Sequence, residues 1–201
     1  MYDKKFKISA GALILAALIY YTADFAALAC LAAPIFAHEL GHIICLRLLG
    51  LRIRGFRAEL RGLCMGYAGC TSGLGRMLAA AAGPVAGGLY ALMTSYAGKI
   101  LGSDWLLCSA GVSILLSCFN LLPALPLDGG QIFSELMTAL FGLRRGMRIV
   151  ELTGLAVGAL LLAAGLWLLW TGRGAAVIVA AIWLLLSQPE NPVLGRRKEL
   201  L

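Results

Sequence analysis

Charge is scarce in this chain. Asp, Glu, Lys and Arg make up 13% of its 201 residues, about half the share of an ordinary soluble domain. That shortage excludes a soluble globular protein, and an apolar content of 61% excludes a disordered one. Histidine occurs only twice, and the six cysteines (Cys30, Cys45, Cys64, Cys70, Cys108, Cys118) include no C-x-x-C pair. Four of these cysteines lie within or beside apolar runs, where cysteine behaves as a small hydrophobe. A Cys64–Cys70 bridge is not expected on a reducing, cytosolic side.

What the chain has instead is apolar mass, with a mean hydropathy of +0.89. The class that remains is an integral membrane protein whose apolar surface faces lipid and neighbouring helices. The net charge of +7 does not point to nucleic acid. The basic residues stand in short connections between apolar runs, where they set membrane orientation.

Stretches free of Asp, Glu, Lys and Arg mark the candidate spans: 8–23, 77–98, 105–127, 152–172 and 174–189, with a further run, 25–46, broken only by Glu39. Runs of 21 to 23 residues reach across a hydrocarbon core of about 30 Å. The expected architecture is an all-α polytopic membrane protein with six transmembrane helices and a short membrane-associated β-hairpin after the second helix. With the N-terminus inside, fifteen of the seventeen basic residues are cytoplasmic, and only Lys99 and Arg173 fall outside. Both termini are then cytoplasmic, in what is expected to be a bacterial cytoplasmic membrane. The opening lysines and Ala27-Leu28-Ala29 imitate a secretory signal. The run is read as a retained span, because cleavage there would cut into the segment that bears the main motif.

Residues 51–73, LRIRGFRAELRGLCMGYAGCTSG, depart from the helical plan. Leu51, Ile53 and Phe56 alternate brokenly with Arg52, Arg54 and Arg57, a pattern of period two. The expectation is a short β-hairpin or small sheet, with a basic loop lying on lipid headgroups as the alternative. In the third span, Gly83 and Gly87 form a small-xxx-small pair beside Pro84. They are read as plain helix packing.

The chemistry lies in His38-Glu39-Leu40-Gly41-His42, an H-E-x-x-H motif inside an apolar run. Residues at i and i+4 share a helix face, so both imidazoles can bind one tetrahedral zinc ion. Glu39 stands beside them as general base toward an attacking water. An ionisable triad within a bilayer span is costly and reads as functional. Catalytic zinc needs a third protein ligand. The histidines lie toward the cytoplasmic end of the second span, and Asp128 follows the fourth span at about the same depth. Glu135 and Glu151 lie farther along a basic segment and read as solvated or paired acids. Around Asp128 the sequence NLLPALPLDGG has two prolines that cannot continue a helix and two glycines that permit unusual turns. Irregular backbone at membrane depth is tolerated where it is buried in protein or lines a wet cavity.

HELGH, followed by NLLPALPLDGG, resembles the site-2 protease family of intramembrane zinc metalloproteases. The resemblance covers a catalytic core of about residues 25–135. It implies that His38, His42 and Asp128 hold one zinc per chain, that Glu39 is the catalytic acid/base, and that Asn120 helps hold the substrate backbone. It also implies a membrane-associated hairpin or sheet near 51–73. AGP at 82–84 resembles a third family motif, although Val85-Ala86-Gly87 stands where an Asn often follows. The six-span plan looks most like the bacterial sporulation-factor-processing subgroup. Residues 1–201 are expected to form a single membrane-embedded peptidase domain without a CBS or PDZ domain.

The expected activity is regulated intramembrane proteolysis, with membrane-embedded or membrane-adjacent protein substrates and the lipid bilayer as partners. No nucleic acid is expected, and any regulatory membrane partner is unknown. The alternative is a non-proteolytic metal-binding protein or a divalent-cation transporter. Transport would want ligands at several depths. This chain has one compact cluster.

Overall fold

The computed structural model describes residues 7–8, 25–59, 62–68, 72–172 and 175–188. In chain order the elements are β1 (Lys7–Ile8), α1 (Phe25–Leu48), β2 (Arg52–Glu59), β3 (Gly62–Ala68), α2 (Gly73–Leu101), α3 (Asp104–Asn120), α4 (Asp128–Leu169) and α5 (Ala175–Ser187). They divide into two compact units, Met1–Phe119 and Asn120–Leu201.

In the first unit, α1 ends in a glycine turn. Gly50 takes φ of +74°, Leu51 N donates to Leu46 O at 3.0 Å, and Gly50 N donates to Arg47 O at 3.0 Å. This pair of bonds satisfies carbonyls at the helix end and turns the chain into β2. The sheet has the order β1-β2-β3, with β1 parallel to β2 and β2 antiparallel to β3. Phe56 pairs with Met65 and Glu59 with Gly62. Ser72 then caps α2, its side chain accepting from Gly75 N at 3.2 Å.

Helices α2 and α3 are joined by two residues and meet through a polar seam. Ser109, Ser113 and Ser117 of α3 are all buried. Ser113 Oγ donates to Gly87 O at 2.8 Å, and Tyr90 and Ser109 share a hydrogen bond of 2.8 Å. Large apolar side chains such as Phe36, Leu92, Met93 and Trp170 lie outside. Small and polar residues within and large apolar residues without is the arrangement that lipid requires, where helices associate by close packing and hydrogen bonds.

In the second unit, α4 bends at Gly142, which takes φ of +75° and ψ of 165°. Beyond the bend it packs antiparallel on α5, with Gly158 against Leu185 and Gly165 against Ile178.

The expected fold class is corrected. In place of six transmembrane helices, the described residues form five α-helices, of which three (Ala29–Leu48, Gly73–Leu101 and Asp128–Leu169) are long and apolar enough to cross a membrane. The runs 105–127 and 174–189 yield helices of only 17 and 13 residues, short of a full crossing on their own. Pro123 and Pro126 explain the first shortening, since α3 stops at Asn120 ahead of them. The run 152–172 is the later part of a 42-residue helix that continues back through a charged segment. The expected span 8–23 lies outside the described residues except for Ile8, which belongs to β1. Among the described residues the all-α class does not hold, because β2 and β3 pair antiparallel within 51–73 and β1 adds a third strand.

Candidate metal centre

His38 and His42 lie one turn apart on α1 and are buried, 5% and 8% exposed. Their Nε2 atoms approach to 3.2 Å, with the rings edge-on at 80°. The other ring nitrogen of His42 is committed: Nδ1 lies 2.7 Å from the carbonyl oxygen of Ala79 on α2. A carbonyl can only accept, so Nδ1 carries the proton and the Nε2 lone pair is left for a metal. Two ligands held about 2.0–2.1 Å from one tetrahedral zinc stand about 3.3–3.4 Å apart. The imidazole pair fits that requirement.

Gly83 of α2 makes the space. A Cβ built there would strike His42 Nε2 and would lie 2.8 Å from His38 Nε2. Gly41 similarly lets α1 close on α2, where a Cβ would meet Ala82 O and stand 2.6 Å from Ala86 Cβ. The packing reading of the small-xxx-small pair suits Gly87, which faces Ser117, but Gly83 faces the histidines themselves.

Asp128 is the first residue of α4, with Leu127 in extended conformation (φ −66°, ψ 160°) before it. The connection 121–127 is tied internally, with Ala124 N donating to Leu122 O at 2.8 Å and Leu127 N to Ala124 O at 3.0 Å. Gly129 and Gly130 press on this connection, against Leu121 and Ala124 backbone respectively. The helix N-terminus favours negative charge at Asp128, whose side chain is buried.

His38 and His42 on α1 and Asp128 at the start of α4 are each buried. Two imidazoles with a third protein ligand and an open position make a catalytic rather than a structural zinc site. Glu39 is half-buried on α1 beside His38, and Asn120 is half-buried at the end of α3. Among the described residues, Glu135 is buried on α4 outside the group, and Glu151 is exposed. Sequence reasoning missed the Ala79 carbonyl and the histidine-facing role of Gly83. The run AAAGPVAGG was the available signal.

The paired imidazoles on α1 are an arrangement that can hold a metal ion. Comparison with known proteins makes this narrower. A family model, Peptidase family M50, matches residues 99–164, the segment that contains Asn120 and Asp128. The fold is similar to that of a solved structure, the Site-2 Protease from Methanocaldococcus jannaschii. The two share 18% identity and a TM-score of 0.67, with 87% of this chain and 82% of that chain covered. No curated protein matches the chain. The M50 match covers about a third of the chain, and the solved structure, at this identity, shows a likeness of fold. Neither finding reaches the sporulation-factor-processing subgroup.

Proposed function

We propose that this protein is an intramembrane zinc metalloendopeptidase that hydrolyses peptide bonds of membrane-embedded or membrane-adjacent protein substrates. The observation that supports it most is the His42 imidazole, held by Ala79 O at 2.7 Å with its Nε2 facing that of His38 at 3.2 Å. In this reading His38, His42 and Asp128 hold one zinc per chain. Zinc bound there supplies Lewis acidity, polarising the scissile carbonyl and making water easier to deprotonate.

The chain's own residues do the rest. Glu39 accepts a proton from the attacking water as its oxygen bonds to the carbonyl carbon. It returns that proton to the amide nitrogen as the C–N bond breaks, leaving a carboxylic acid and an amine. Asn120 binds substrate backbone through its side-chain amide. A helix keeps its scissile bonds in a hydrogen-bonded ladder, so the peptide enters unwound. In this reading the enzyme lies in a bacterial cytoplasmic membrane, with both termini and the active site toward the cytoplasm.

The test is Glu39→Gln, which keeps the shape but removes the base. Zinc content should stay near one per chain while cleavage of a single-span substrate falls by about 10²–10⁴-fold. Zinc flux into vesicles that survives the substitution, without any proteolysis by the wild type, would overturn the reading in favour of transport.

A further inference from the structure

In the connection that delivers Asp128, the Leu125 carbonyl is satisfied from a distant side chain. Pro123 and Pro126 have no N–H. The carbonyls of Leu122, Ala124 and Leu127 are taken by the N–H groups of Ala124, Leu127 and Gln131. The carbonyl of Leu125 instead accepts from Gln188 Nε2 at 2.7 Å, across 63 residues of sequence. Gln188 immediately follows α5, and the same nitrogen lies 3.4 Å from Leu184 O. Two carbonyls around one end of the amide identify that end as the NH₂ group.

The other end of the amide rests on α4. A Cβ at Gly154 would lie 2.7 Å from Gln188 Oε1 and 3.0 Å from Nε2, so the glycine provides the slot that the amide occupies. One side chain therefore joins α4, the end of α5 and the 121–127 connection. It does so three residues before Asp128. Gly129 and Gly130 press on Leu121 and Ala124 backbone, so the connection and the first turn of α4 move together.

We propose that Gln188 is a positioning residue for Asp128, holding the Leu125 carbonyl and through it the carboxylate's place at the start of α4. The inference rests on the reading of Asp128 as a zinc ligand. It gives α5 a part in the metal centre, although Gln188 lies beyond the segment that matches family M50. Groups that orient metal ligands from behind typically change affinity by about 10–100-fold when removed.

The experiment measures zinc affinity of the metal-free full chain in detergent, by competition with a chromophoric chelator. Gln188→Leu keeps much of the volume and removes the donor, and Gly154→Ala crowds the amide from the opposite side as a milder variant should the first fold poorly. Each should weaken zinc binding by about tenfold or more. In an Asp128→Ala background, Gln188→Leu should cause no further loss, because a residue that acts through Asp128 has nothing left to position. Unchanged affinity in both single variants would overturn the inference, as would an equal loss with and without Asp128. Should Asp128→Ala itself bind zinc like the wild type, the ligand reading would fall, and that result is separable because it does not involve Gln188.

Discussion

His42 Nδ1 and the carbonyl oxygen of Ala79 lie 2.7 Å apart, so the imidazole's tautomer and direction are set by the backbone of a different helix. The proposed metal centre depends on how closely α1 and α2 approach. Gly83, one turn farther along α2, is the residue that keeps that approach from closing over the histidines.

Gly83→Ala should therefore remove metal without removing the fold. The added methyl would meet Nε2 of His42 and crowd that of His38. Zinc content, measured by elemental analysis, should fall to a small fraction of the wild-type value. Gly87→Ala, which crowds Ser117 instead, should lower stability by about 1–3 kcal/mol and keep its zinc. Equal zinc in the two variants would contradict the assignment.

The ligands should differ from the base in their effect on metal. His38→Ala and Asp128→Ala should each lose most bound zinc and all measurable proteolysis, and added zinc should restore little of either. A wild-type preparation free of zinc yet fully active would sink this assignment.

The seam between α2 and α3 sets a stability prediction. Ser113→Ala removes the hydroxyl that donates to Gly87 O at 2.8 Å. Hydrogen bonds between membrane helices are worth about 0.6 kcal/mol on average and rarely exceed about 1.7. The variant should lose stability in that range in detergent unfolding, with zinc content unchanged.

Orientation is open to reporter fusions. The arginines at 52–76 and 144–148 are expected inside, and Lys99, at the far end of α2, outside. Fusions after Arg61 and Arg148 should report the cytoplasm, and a fusion after Lys99 the opposite side. An external signal at Arg148 would contradict the proposed topology.

Much of the candidate site is marked in the sequence by local signals. His38 and His42 need only helical spacing, and Glu39 only adjacency. Asp128 stood out because prolines and glycines cluster around one acid at the end of an apolar run. The span count was less legible, because an apolar run does not state where its helix stops. Run 105–127 gives a helix that ends at Asn120, and the helix containing run 152–172 begins at Asp128. Charges within α4 hid its continuity, since the segment around Arg144 and Arg148 stays helical beyond the bend at Gly142. Gly83 was hidden by its likeness to an ordinary packing glycine. The Gln188–Leu125 bond joins residues too far apart for any period or motif to register.

X-ray absorption at the zinc edge of the purified protein tests the proposed metal centre most directly. The expected spectrum shows about one zinc per chain, bound to two imidazole nitrogens and carboxylate oxygen at about 2.0–2.2 Å. Loss of one imidazole contribution in His42→Ala would tie that spectrum to the HELGH motif. Sulfur ligation at about 2.3 Å, or a spectrum unchanged in His42→Ala, would place the metal elsewhere and contradict it.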